Sequence, residues 1–146
     1  MIGIVHSGII VKNLDASIKF YRDVLGLELV KREPVRASRG EKLGVPGAVI
    51  QIAVFAIPSS DATLELIEFI EPKSPNDYGM PVNSIGQVHI AFRVTDIEEK
   101  IAYMKNQGVK FVSDEYETIM DGPLVGWKWI YFKDPDGTNM ELIQEQ

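Results

Sequence analysis

The sequence predicts an α+β fold of two tandem βαβββ modules, forming a curved eight-stranded mixed sheet with the helices on its outside. Three observations predict it. The 146 residues include only two histidines, His6 and His89, and each opens an alternating, strand-like stretch that leads to a capped helix. Each helix stops at a glycine, Gly26 or Gly108, with apolar residues directly after it. Each half closes on a similar strand, Leu64-Glu65-Leu66-Ile67 in the first and Met140-Glu141-Leu142-Ile143 in the second.

In chain order, residues 1–11 read as the first strand. Asn13 or Asp15 can cap the next element, a helix, because a short side-chain oxygen satisfies free N–H groups at a helix start. Leu14, Ile18, Tyr21, Val24 and Leu25 recur at helical spacing as its buried stripe. Residues 27–33 are a second strand. Residues 34–47 hold Arg36, Arg39 and Lys42 among glycines and prolines, and read as a long, mobile, basic loop. Residues 48–57 and 62–70 are strands joined by a turn at Ser59-Ser60-Asp61. Residues 72–85, with three prolines, link modules of about 1–71 and 86–146 within one domain.

The second half repeats the order. On a strand over 86–95, His89, Ala91 and Arg93 share one face, and Val88, Ile90, Phe92 and Val94 the other. Asp96 caps a helix whose buried row is Ile97, Ile101 and Met104. A short strand is expected at 109–112 and an irregular acidic stretch at 113–121. Residues 125–133 and 138–144 form a hairpin across Asp134-Pro135-Asp136-Gly137, whose residue types favour a tight turn. Overlaying the halves pairs His6 with His89, Asn13 with Asp96, Leu14 with Ile97 and Ile18 with Ile101. A one-residue slip within the helix is needed before Gly26-Leu27 meets Gly108-Val109.

Composition narrows the function. At 45% hydrophobic and 25% charged, the chain is a soluble globular domain with a core of its own. No apolar run spans a bilayer and no signal peptide is read, so a cytoplasmic protein is expected. A net charge of −6 argues against nucleic acid and acidic membranes as partners. With no cysteine, a metal would be held by His, Asp or Glu. His6, Glu65, His89 and Glu141 fall at matched positions on the faces opposite the apolar rows. Imidazole and carboxylate suit one divalent ion, Ni, Co, Zn, Mn or Fe, with room left for substrate oxygens. Such an ion polarises a carbonyl, and a glutamate beside it moves a proton. Arg93 is placed to meet a substrate carboxylate or phosphate. Trp127, Trp129 and Tyr131 alternate as a row that either walls a substrate site or packs an interface, with Trp129 the substrate contact expected.

The chain resembles the vicinal oxygen chelate superfamily, which includes glyoxalase I, methylmalonyl-CoA epimerase, extradiol dioxygenases, and bleomycin-binding proteins. The resemblance is carried by His6 with Val11-Lys-Asn-Leu, by Ser17-Ile-Lys-Phe-Tyr-Arg-Asp-Val-Leu-Gly-Leu, by His89-Ile-Ala-Phe-Arg-Val-Thr-Asp-Ile, and by Asp134-Pro-Asp-Gly-Thr-Asn-Met-Glu141-Leu. It implies metal ligands at His6, Glu65, His89 and Glu141, with Glu141 first and Glu65 second as proton carriers. It also implies a homodimer acting on a small-molecule substrate. Bacterial glyoxalase I enzymes carry an arginine where this chain has Ile10 and an asparagine where it has Phe69. The reading is therefore a metal-dependent lyase or isomerase of the glyoxalase I or epimerase type. The alternatives are an Fe(II)-dependent extradiol-type dioxygenase and a non-catalytic binder of a drug or metabolite.

Overall fold

The structure is a computed structural model that describes residues 3–35, 40–76 and 78–146. Alternation sets the first element. β1 (His6–Ile10) carries His6, Gly8 and Ile10 on one face, and buries Ile9, with Val11 just beyond, on the other. Asn13 caps α1 (Leu14–Lys19), its Oδ1 accepting the N–H of Ala16 at 2.9 Å. Asp15, the other candidate cap, pairs with Arg32 at 2.7 Å. Leu14, Ile18 and Tyr21 are buried as their spacing requires.

The helix then changes geometry. Phe20–Val24 is a π-turn, in which the Leu25 N–H reaches back to the Phe20 carbonyl at 3.1 Å. The interval from His6 to Gly26 is one residue longer than that from His89 to Gly108. A π-turn absorbs one extra residue and leaves the downstream chain in place. The slip between the halves has this physical origin.

The first module continues through β2 (Glu28–Arg32), β3 (Val49–Ala56) and β4 (Thr63–Glu71), in the order β1-β4-β3-β2, with β1 parallel to β4 and the other pairs antiparallel. α1 packs on β3 and β4, where Leu14 and Tyr21 join Phe55, Leu64 and Leu66 in the core. Ile50, Ile52, Val54, Ile67 and Phe69 lie on the other face, with Glu65. Within the stretch 34–47, expected to be a mobile loop, the described residues include regular structure. Gly40–Leu43 is a 3-10 turn carrying Lys42, and Val45 packs against Ala48, Ile50 and Ile52. Arg36 and Arg39 lie outside the described residues.

The second module comprises β5 (Ile90–Arg93), α2 (Ile97–Asn106), β6 (Glu117–Thr118), β7 (Lys128–Lys133) and β8 (Asn139–Gln144), ordered β5-β8-β7-β6. β5 is shorter than expected, because residues 81–87 turn through the bonds Ser84 N–H to Pro81 O and Gln87 N–H to Ser84 O. Asp96 caps α2 by accepting the Glu99 N–H at 2.9 Å; Ile97, Ile101 and Met104 are buried, as are Ile130, Phe132, Met140 and Leu142 of the sheet, and α2 packs on β8. The strand expected at 109–112 is a single bridge, Phe111 to Phe132. The stretch read as irregular contains β6, which pairs Glu117 with Trp129. Six residues on this side thus span three on β7. The excess loops out at Ser113–Tyr116, where the Ser113 hydroxyl donates to the Glu115 carbonyl. At the β7–β8 turn, Asp134 Oδ1 accepts the N–H groups of Asp136 and Thr138, and Gly137 takes φ +84°.

Hydrogen bonding therefore gathers the strands as two four-stranded mixed sheets, where one eight-stranded sheet was expected. Each module's first strand finds its partner in that module's own last strand, so each ladder is completed internally. The chain divides into two compact units after residue 77, inside the stretch read as a linker. Tyr78 and Gly79 belong to the second unit. The Gly79 N–H donates to the Asp136 carbonyl at 2.7 Å, and a side chain on Gly137 would meet the Tyr78 ring at 2.5 Å. No helix among the described residues is long and apolar enough to cross a membrane.

Candidate functional site

The register of the two sheets repeats around the glutamates. Glu65 is in register with Gly8 of β1 and Val54 of β3, and Glu141 with Ala91 of β5 and Tyr131 of β7. Gly8 and Ala91 each lie two residues past a histidine, so each imidazole shares a face with its module's glutamate. Two His–Glu pairs result. His6 Nε2 is 3.8 Å from Glu65 Oε2, and His89 Nε2 is 3.1 Å from Glu141 Oε2.

These separations bear on metal binding. Two donors at neighbouring positions of an octahedral ion, each about 2.1 Å from it, lie roughly 3 Å apart. The second pair has that spacing and the first is somewhat wider. Each offers one imidazole nitrogen and one carboxylate oxygen, a donor set that fits a first-row divalent cation. Among the described residues, no three His, Asp or Glu side chains gather as a metal cluster. The four residues are present as two pairs, one within each module.

The pairs are not equivalent. Where Glu65 faces Val54, Glu141 faces Tyr131, whose hydroxyl lies 3.1 Å from the same His89 Nε2. The Tyr131 ring also meets the imidazole edge-on, with centroids 5.0 Å apart. The Glu141 side chain is 11% exposed against 24% for Glu65. Burial holds the Glu141 carboxyl above the usual carboxylate range, while the charge and hydrogen bond of His89 oppose the shift. The Tyr131 phenol is likewise pushed up, by burial first and by the charge of Glu141 second.

Glu141 opens into a cavity of about 250 Å³ in the second module. Trp129 and Tyr131 of β7, Trp127 just before it, and Ile143 of β8 form its walls; Ile119 and Leu124 come from the segment between β6 and β7. That segment is held by the bonds Ile119 N–H to Trp127 O and Gly126 N–H to Ile119 O, both 2.8 Å. Trp129 thus lies in the lining with Glu141. Arg93 does not: its exposed guanidinium is engaged by Glu145 at 2.7 Å. Sequence reasoning missed Ile119 and Leu124, which sit in a stretch without periodicity. It also gave no role to the Tyr131 hydroxyl, although alternation with Trp129 places Tyr131 on the same face.

The family model of the Glyoxalase/Bleomycin resistance protein/Dioxygenase superfamily matches residues 3–142, across both modules. The chain belongs to this superfamily. Within the Glyoxalase/Bleomycin resistance protein/Dioxygenase superfamily, an Actinomyces protein named 2-epi-5-epi-valiolone epimerase is 34% identical over 145 residues, covering 94% of this chain and 76% of that protein. A lactoylglutathione lyase of Neisseria meningitidis serogroup B is 27% identical over 145 residues, covering 98% and 91%. Among solved structures, a glyoxalase family protein from Bacillus cereus aligns with a TM-score of 0.83 at 24% identity, covering 99% of this chain and 95% of that one. The likeness to the Bacillus cereus protein is one of fold, and agrees with the α+β class and the paired modules.

Proposed function

We propose that this chain is a divalent-metal-dependent lyase or epimerase of the glyoxalase type, which removes a proton from the carbon beside a carbonyl. The observation that carries the reading is the His89–Glu141 pair, 3.1 Å apart, with Glu141 in the lining of a cavity sized for a small molecule. The relatives named as an epimerase and as a lactoylglutathione lyase support enzymatic chemistry of this kind.

His89 and Glu141 are the residues proposed to hold the ion beside the cavity, and His6 and Glu65 are the matching candidate donors of the first module. When bound, the ion supplies Lewis acidity that draws electron density onto the substrate's carbonyl oxygen. Glu141 accepts the proton from the adjacent carbon, the C–H electron pair moves toward the carbonyl, and Glu141 returns the proton to complete the isomerisation. Partial burial suits it to this work, because a carboxylate held above its usual range is a stronger base. Trp127 and Trp129 exclude water from the reacting carbon. By analogy with the family, the working form is a homodimer, which a solution mass measurement tests.

The deciding experiment tracks exchange of substrate α-protons with deuterated water, by NMR, for chain loaded with Ni, Co, Zn or Mn. Exchange that depends on the ion and is lost in Glu141→Gln supports the reading. Oxygen uptake with Fe(II) would make the protein a dioxygenase. Ligand binding with no exchange under any metal would make it a binding protein.

A further inference from the structure

The face of the second module's sheet that carries His89 and Glu141 also carries an ammonium group that the proposed chemistry does not use. Alternation and register lay this face out in rows. On β7 it presents Lys133, Tyr131 and Trp129, opposite Asn139, Glu141 and Ile143 of β8. Tyr131, Trp129, Glu141 and Ile143 line the cavity, whereas Lys133 and Asn139 lie on the other side of Glu141, outside the described lining. The cavity is thus the apolar end of the face, and Lys133 stands at its polar end. The other strand lysine on this side of the turn, Lys128, is in register with Gln144 on the opposite face and pairs with Glu98 of α2 at 2.8 Å.

Lys133 is held by neutral partners. Its ammonium donates to Asn139 Oδ1, and Asn139 Nδ2 donates in turn to Gln87 Oε1 at 3.2 Å, two residues before His89. Asn139 is buried, while Lys133 stays partly exposed. Among the described residues the Asn139 amide is the ammonium's only partner, so two of its three N–H donors are available. Carboxylates close by are committed elsewhere: Asp134 Oδ1 accepts two N–H groups of the turn, and Glu141 lies 3.1 Å from His89 Nε2. Arg93, the cation expected to meet a substrate anion, shares this face but is engaged by Glu145.

We propose that Lys133 is an anion subsite: it takes a carboxylate or phosphate carried by a short carbonyl compound whose reacting carbon lies at Glu141. Asn139 and Glu141 are two residues apart on β8, about 7 Å along the strand. A spacer of roughly three or four bonds, with the hydrogen bond to Nζ, covers that distance. An ion on His89 and Glu141 has the same sign of charge as Lys133, so the two act together on an anion. What Lys133 adds is direction, drawing the anionic end away from the apolar cavity. The inference rests on the proposed function only in placing the reacting carbon at Glu141; capture of the anion is read without turnover.

The experiment uses the full chain loaded with one equivalent of Ni. Dihydroxyacetone, dihydroxyacetone phosphate and 5-hydroxylevulinate share a hydroxyketone, and the two anionic probes carry phosphate or carboxylate at matched distance from it. Each is titrated calorimetrically into wild type, Lys133→Gln and Lys133→Arg. Lys133→Gln keeps an N–H donor for Asn139 and loses the charge. At least one anionic probe is expected to bind wild type tenfold or more tightly than dihydroxyacetone, and which one does so separates phosphate from carboxylate. Lys133→Gln should bring that ratio close to one, and Lys133→Arg should restore most of it. NMR of nitrogen-labelled lysine ammonium groups gives a second reading in wild type: the preferred anion shifts the Lys133 resonance and dihydroxyacetone does not.

A ratio near one in wild type overturns the inference, as does failure of every probe to bind. A preference that survives Lys133→Gln, or a Lys133 resonance that the anion leaves unmoved, assigns the anion to the ion and overturns it too. Equal loss of all three probes in Lys133→Gln makes the residue structural, with the same consequence. Deuterium exchange is measured on the same samples, so the two readings fail separately. Anion-selective binding without exchange keeps the subsite and removes the proton-transfer function.

Discussion

Glu68 on β4 accepts the backbone N–H of Leu14 at 2.8 Å, so the first module's last strand caps its own helix from across the core. The same oxygen accepts from Gln51 Nε2 at 2.8 Å, and the residue is buried. Gln144 on β8 repeats the arrangement in the second module, taking the Ile97 N–H at 2.8 Å. Glu68 and Gln144 each stand three residues past the glutamate of their module's His–Glu pair. One strand thus presents its glutamate on one face and fixes the helix from the other.

Glu68→Ala is expected to destabilise the fold by about 2 kcal/mol, because it strands a buried N–H and the Gln51 amide together. Glu68→Gln keeps an acceptor and, with Gln144 as the neutral precedent, should cost under about 1 kcal/mol. Urea denaturation monitored by circular dichroism checks both. Equal losses for the two variants would mean that the negative charge at the helix start, rather than the acceptor, is what matters.

A second expectation concerns protonation. Burial places the Glu141 carboxyl above its ordinary value of 4.5, against the lowering influence of His89. In metal-free protein this carboxyl should therefore take up its proton earlier, as pH drops, than an exposed carboxylate does. In metal-free protein, His89→Ala removes the opposing influence and should move the Glu141 titration further up. Carbon-detected NMR of the labelled carboxyl reads it directly. A downward move in His89→Ala would contradict the cause assigned.

Tyr131 separates the two halves chemically, since its counterpart opposite Glu65 is Val54. Tyr131→Phe keeps the ring against His89 and deletes the hydroxyl 3.1 Å from Nε2. That nitrogen is the one proposed to take the ion, so deleting a competing hydrogen bond worth about 1 kcal/mol should tighten ion binding by roughly tenfold or less, read by metal titration. Thermal unfolding should be little changed. A loss of stability with no effect on ion affinity would make the residue a packing element.

Much of this arrangement was legible because period-2 alternation is strict. His89, Ala91 and Arg93 fall on one face whatever the strand's exact ends, and the Leu64–Ile67 and Met140–Ile143 repeats place the glutamates likewise. The caps at Asn13 and Asp96 were readable for the same local reason. Long-range partnerships were not. Nothing near Leu14 in sequence announces that Glu68 will meet its N–H, and nothing around Lys128 announces Glu98. The slip between the halves was visible as one surplus residue, but nothing local says whether it becomes a loop or a π-turn; in the structure it is a π-turn that includes Tyr21, whose ring packs on Phe55 at 6.0 Å between centres. β6 was hidden because two residues of ladder after a looped-out stretch leave no periodic trace.

The inequivalence of the two pairs leads to the sharpest expectation. Glu65 and Glu141 hold matched positions in register, so as ligands they should behave alike, and Glu65→Gln and Glu141→Gln should each weaken ion binding to a similar degree. As bases they should differ. Glu141 is the less exposed, carries the raised pKa and lines the cavity, whereas the described lining of that cavity does not include Glu65. With saturating metal, Glu141→Gln should lower the exchange rate by about 10² to 10⁴-fold, the range general base catalysis supplies. Glu65→Gln should cost no more than about tenfold under the same conditions. Metal content by mass spectrometry and exchange by NMR, taken on the same preparations, separate the two effects. If Glu65→Gln proves the more damaging at full metal occupancy, Glu65 rather than Glu141 is the base.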